Sequence, residues 1–153
     1  RQRSLHRLFF TMGPFLSNAA DIPRSTYGRV ASNVTFGDAE YQIMEALAPE
    51  SGELVFPKNT ESGFIGTGAD LILRNLGVET LILVGGTSSS CVNATGRTGA
   101  DLGFRIVLVE DAVSGFLPLL HDATLIQFSY FLGRVISTDQ VIQELIGHPT
   151  DTA

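Results

Sequence analysis

"TLILVGGTSSSCVNATGRTGADLGFRIVLV", from Thr80 to Val109, decides the fold. It opens and closes on apolar, β-branched runs, Thr80 to Val84 and Arg105 to Val109. A glycine–serine turn and a small-residue segment, Cys91 to Leu102, lie between them. Strands that are apolar at nearly every position are expected where helices cover both faces of a parallel sheet. Strand, turn, helix and strand at this spacing form a βαβ unit.

The same alternation continues outward. LFFTM (Leu8 to Met12), LVF (Leu54 to Phe56) and RVI (Arg134 to Ile136) also read as strands. Helical spacing is predicted for Ala39 to Leu47, where Ile43, Met44 and Leu47 share a face, and for Ala69 to Leu76, which stops at the helix-ending glycine Gly77. Leu117 to Leu132 and Gln140 to Ile146 complete the helices. The pattern predicts an α/β protein with right-handed crossovers and one domain. Gly13 to Phe36 shows no period and contains Pro14, Pro23 and Gly28; it reads equally well as a lid or substrate loop and as a surface excursion. The tail from Gly147 is expected to fray.

Bulk composition narrows the function. With 153 residues, 44% of them apolar, the chain has material for one real core. A net charge of −6 and the absence of a basic run argue against nucleic acid as the main partner. No apolar stretch approaches the roughly 20 residues that span a bilayer. The single cysteine excludes an internal disulfide and a cysteine-based structural zinc site, and fits a reducing, cytoplasmic compartment.

Ligands of open α/β sheets bind beyond the carboxyl ends of the strands. Cys91 falls there, just past Gly85–Gly86–Thr87 and at the first turn of a helix, where free N–H groups and the helix dipole favour a thiolate. Lys58 follows the strand Leu54 to Phe56 at the same edge, and its ammonium would favour the thiolate further. Pattern alone leaves Cys91 open between nucleophile and small core residue, and Lys58 between partner and solvated surface residue. GGTSSS could cradle a phosphate, but it lacks both the P-loop and the dinucleotide glycine spacing. His6, His121 and His148 are scattered without metal-ligand spacing, and Asp111 is expected to cap a helix or bond a loop.

A longer string, "LVFPKNTESGFIGTGADLILRNLGVETLILVGGTSSSCVNATGRTGADLGFRIVLVEDAVSGF" from Leu54 to Phe116, resembles the isochorismatase-like cysteine hydrolases. Lys58, Ser62, Phe64, Thr67, Gly77, Gly85, Ser88, Cys91, Val92, Gly103, Phe104, Asp111 and Ala112 fall in register with the family pattern. The match extends more loosely from Leu8 to near Leu145. The resemblance implies a three-layer α/β/α, Rossmann-like fold with a mostly parallel sheet. It implies hydrolysis of a small amide or related C–N bond, without a cofactor or metal, through a thioester on Cys91. Lys58 matches the base of the family's Asp–Lys–Cys triad, and Phe64 an aromatic position near the substrate. Gly86 and Thr87 match the site of a non-proline cis bond, with the N–H groups of Thr87 and Cys91 aimed at the oxyanion. Relatives commonly form dimers or tetramers, so a homo-oligomer is expected.

The departures also carry expectations. The triad's Asp belongs to a first strand that this sequence does not contain, and residues 1–7 resemble the end of the helix that follows it. The chain is therefore expected to be a single domain over residues 1–153, N-terminally incomplete. Asp21 and Asp38 are the nearest acids, and neither follows a predicted strand. Where nicotinamidases carry an Asp and two His, this chain has FTMGPFLSNAAD, which counts against their zinc site and nicotinamide specificity. Two other readings remain: a catalytically silent binding subunit, and a vinyl-ether hydrolase of the isochorismate type, against which the presence of Cys91 counts.

Overall fold

The computed structural model describes residues 5–16, 20–23, 39 and 42–147. Most of the aperiodic stretch Gly13 to Phe36, including its candidate lid, and the tail beyond Gly147 lie outside the described residues. The chain divides into two compact units, Leu5–Ile72 and Leu73–Ala153 with residues 1–4.

In the first unit, β1 (Leu8–Met12) and β2 (Leu54–Lys58) pair in parallel, from Leu8 opposite Leu54 to Met12 opposite Lys58. Apolar side chains set the pairing: the rings of Phe10 and Phe56 stack with centroids 5.4 Å apart. β2 runs past the predicted LVF and through Pro57 to Lys58. Pro57 offers no N–H, which suits a strand with a single paired neighbour among the described residues.

The helix predicted over Ala39 to Leu47 is not formed by its described residues. A single 3-10 turn, Glu45–Leu47, takes its place, and Met44 before it is extended at φ −57°, ψ 144°. Met44 and Leu47 are 65% and 60% exposed, so the apolar spacing meets no surface to bury. Without burial, a segment this short does not recover the cost of helix nucleation.

α1 (Ala69–Asn75) ends as predicted at Gly77, whose φ of 70° lets its N–H reach the Arg74 carbonyl while Val78 N–H reaches Leu73. In the second unit, β3 (Thr80–Gly86), β4 (Arg105–Ser114) and β5 (Gly133–Ile136) form a parallel sheet in that order. β4 is central, and its residues 106–109 are all buried, Leu108 completely, as the unbroken apolar run requires. Helix α2 (Asn93–Asp101) joins β3 to β4. Val92, just before it, is buried, and Gly96 brings the helix close to its neighbours. A Cβ there would come within 2.6 Å of the fully buried Phe128 ring and 3.0 Å of Leu83.

The helix predicted over Leu117 to Leu132 is α3 (Pro118–Gln127), started by a proline in its first turn, followed by a π turn at Phe128–Leu132. α4 (Thr138–Ile146) starts slightly earlier than predicted, because Ser137 and Gln140 form a reciprocal capping box. No helix among the described residues is long and apolar enough to cross a membrane. Parallel sheets with flanking helices make the expected α/β class.

The ladder between β3 and β4 contains one step that matters for the site. Leu83 pairs with Leu108, but Gly85 pairs with Val113, so residues 109–112 bulge against a single residue of β3. Asp111 lies in this bulge. Its carboxylate accepts hydrogen bonds from both the N–H and the hydroxyl of Thr138, each at 2.8 Å, at the start of α4. The sequence left Asp111 between a helix cap and a loop hydrogen bond; it bonds the first residue of α4, whose N-cap is Ser137, and these bonds hold its carboxyl below its ordinary pKa.

Candidate active site

Cys91 lies in a π turn, Ser88–Val92, between the end of β3 and the start of α2. Two glycines leave β3, Gly85 at φ 102°, and the Gly86–Thr87 peptide is cis, at the position the resemblance implies. Thr87 offers no side-chain cap; its carbonyl accepts from Ser90 N–H at 3.1 Å and Val92 N–H at 3.2 Å. The wider i to i+5 ring turns the chain so that Cys91 is half-buried. The Ser90 hydroxyl lies 4.0 Å from its Sγ. A partly accessible thiol at the head of a helix is a poor match to the inert core cysteine that pattern alone left open.

Gly86 has a neighbour on the adjoining strand. A Cβ on Gly86 would meet Ser114 Oγ at 3.2 Å, so the neighbouring strand occupies part of the space that a side chain needs.

Ser88 is fully buried, and its hydroxyl lies 3.1 Å from His121 Nδ1. This pair was invisible in the sequence. Ser88 could be noted only for its register, and His121, 33 residues further on, only as a scattered histidine. No spacing rule links them.

Lys58 and Phe64 belong to the other compact unit. Lys58 is 4% exposed, not a solvated surface residue. Its ammonium donates to the carbonyls of Thr60 at 2.6 Å and Glu61 at 2.9 Å, and approaches Met12 Sδ at 3.3 Å. The loop supplying those carbonyls is itself braced. Thr60 Oγ1 donates to the Ser62 and Ile65 carbonyls, Thr67 Oγ1 to Gly63, and Phe64 N–H to Ser62 Oγ. Phe64 is buried.

Asp21 supports a loop. Its carboxylate accepts from the N–H groups of Phe15 at 2.8 Å and Leu16 at 3.1 Å, and from Asn59 Nδ2 at 3.3 Å. These bonds, the Phe15 N–H first among them, hold the carboxyl below the usual carboxylate range.

The parallel α/β architecture, with a half-exposed thiol in a turn at the carboxyl end of a strand, defines the class of protein. Comparison with known proteins then names the family. An isochorismatase domain matches residues 16–140, and the chain belongs to that family. It is 32% identical over 124 residues to N-carbamoylsarcosine amidase of Arthrobacter sp., covering 80% of this chain and 47% of that protein. Over 138 residues it is 30% identical to ureidoacrylate amidohydrolase RutB of Serratia proteamaculans, covering 90% of this chain and 56% of that protein. The chain thus spans about half the length of these relatives. A cysteine hydrolase of Pseudomonas syringae pv. phaseolicola shares the fold with a TM-score of 0.83 at 24% identity, over 92% of this chain and 71% of that one.

Proposed function

We propose that this protein hydrolyses a small amide or ureido-type C–N bond with Cys91 as nucleophile. The thiol sulfur adds to the carbonyl carbon, and the oxygen's developing charge is taken by the N–H groups of Thr87 and Cys91. Lys58 serves proton transfer. The C–N bond breaks, the nitrogen leaves as amine or ammonia carrying the proton taken from the thiol, and the acyl group remains as a thioester. Water then cleaves the thioester, giving the acid and restoring the thiol. No described residue is assigned the role of the triad's acid.

One observation carries the reading: the single cysteine is half-exposed in the turn that follows Gly86–Thr87. The names of the relatives, both amidohydrolases of carbamoylated or ureido compounds, support the bond class. The test is ammonia release by the full-length protein from N-carbamoylsarcosine, ureidoacrylate and maleamate, with Cys91→Ala as control. Turnover is expected with at least one of the three, lost in the variant, together with an acyl adduct on Cys91 in mass spectra of the trapped enzyme. Turnover that survives Cys91→Ala overturns the mechanism; no turnover of any amide, with an intact fold, favours a silent binding subunit.

A further inference from the structure

We infer that His121 is a positioning residue for Cys91, acting through the buried hydroxyl of Ser88; the inference rests on Cys91 being the nucleophile. Ser88 is the first residue of the π turn and precedes the cysteine by three positions. Its side chain is entirely buried, and a buried hydroxyl needs a hydrogen-bond partner to offset its lost hydration. His121 Nδ1, 3.1 Å away on α3, supplies it.

A third segment closes the arrangement. Gly115, just past β4, has no room for a side chain: a Cβ there would lie 2.7 Å from Ser88 Oγ and 3.4 Å from His121 Cβ. The hydroxyl is therefore confined between the end of β4 and α3, both of which pack on the π turn. Ser88 also shares its carbonyl, with that of Ser90, as acceptor for Asn93 N–H at the exit of the turn. Rotating the Ser88 side chain, or removing its partner, allows the turn to shift as a body. The Cys91 sulfur and its own N–H shift with it.

Attack geometry is sensitive to such shifts; a misplacement of about 1 Å costs on the order of 10²-fold in rate. The sequence contains no cue to this arrangement, because its parts come from three elements that only folding brings together.

The experiment compares Ser88→Ala, Ser88→Thr, His121→Leu and His121→Asn in the full-length protein. Thr keeps the hydroxyl, and Asn keeps a bonding atom near the place of Nδ1. Two quantities are read: kcat and KM for whichever amide the protein turns over, and the rate of iodoacetamide labelling at Cys91, followed by peptide mass spectrometry. Ser88→Ala and His121→Leu are expected to lower kcat by about 10–10²-fold with little change in KM. Both should slow or redirect labelling, and Ser88→Thr and His121→Asn should recover most of the loss. The inference is overturned if Ser88→Ala and His121→Leu stay within about twofold of the wild type. It is equally overturned if the loss only follows the unfolded fraction seen by circular dichroism, or if the conservative variants rescue nothing. Should Ser88→Ala fail to fold, the two His121 variants decide. Labelling needs no turnover, so a failed function leaves Cys91→Ala fully active, whereas a failed positioning role leaves labelling unchanged in His121→Leu.

Discussion

The ends of β2 and β3 present their key residues by opposite means. At the end of β2 the side chain is sequestered: Lys58 is buried, and a braced loop turns two carbonyls onto its ammonium. At the end of β3 the backbone is sequestered and the side chain is offered. The π turn engages the carbonyls of Thr87, Ser88 and Ser90, and Cys91 remains half-exposed. The difference follows from chemistry. An ammonium taken out of water needs acceptor dipoles around it, whereas a thiol that must meet a substrate needs access and a rigid base.

The two sheets differ in a parallel way. Every residue of β1 is half-buried, and β2 is exposed at its start, while the middle of β4 is closed on both faces. Truncation in the middle of β4 should therefore cost more stability than truncation at the start of β2.

The largest effect is expected at Lys58. Lys58→Met keeps most of the side chain's length and removes the ammonium; turnover should fall by about 10²–10⁴-fold, with the circular dichroism spectrum retained. A variant of undiminished activity would break the comparison. Next is the core of β4. Leu108→Ala, at a fully buried site, should cost about 2–5 kcal/mol in urea denaturation. Leu54→Ala, at 37% exposure in β2, should cost less than about 1 kcal/mol. Equal costs would erase the contrast between the sheets.

A smaller loss, of about 1–3 kcal/mol, is expected for Gly96→Ala, whose Cβ is forced onto the Phe128 ring. Phe128→Leu in the same chain should recover part of it. The smallest effect concerns Asp21. Its folded pKa is depressed, so its stabilising bonds are fully present above its ordinary pKa and are lost as pH falls through the lowered folded value. Asp21→Asn should speed amide exchange at Phe15 and Leu16 at neutral pH. The difference from wild type should shrink below about pH 4; a difference independent of pH would show that the carboxylate charge is not what holds the loop.

Much of this was legible in the residues. Continuous apolar runs marked β3 and β4, because burial on both faces removes any need for alternation. Gly77 marked the end of α1, because the closing residue has a positive φ. The family register singled out Cys91, Lys58 and the Gly86–Thr87 bond. Ala39 to Leu47 misled for a physical reason: spacing records which residues could share a face, not whether a surface exists to cover it.

By itself, then, the sequence determined the α/β class, where each strand of the described residues begins to within a residue, and the short set of residues with chemical potential. These are properties of neighbours along the chain, where propensity and periodicity act. The tertiary structure alone decided that Lys58 is buried and held by carbonyls, that β4 bulges to carry Asp111 to α4, and that Ser88 finds His121 33 residues away. Each depends on which surfaces meet after folding, and a buried polar group takes its partner from whatever segment packs against it.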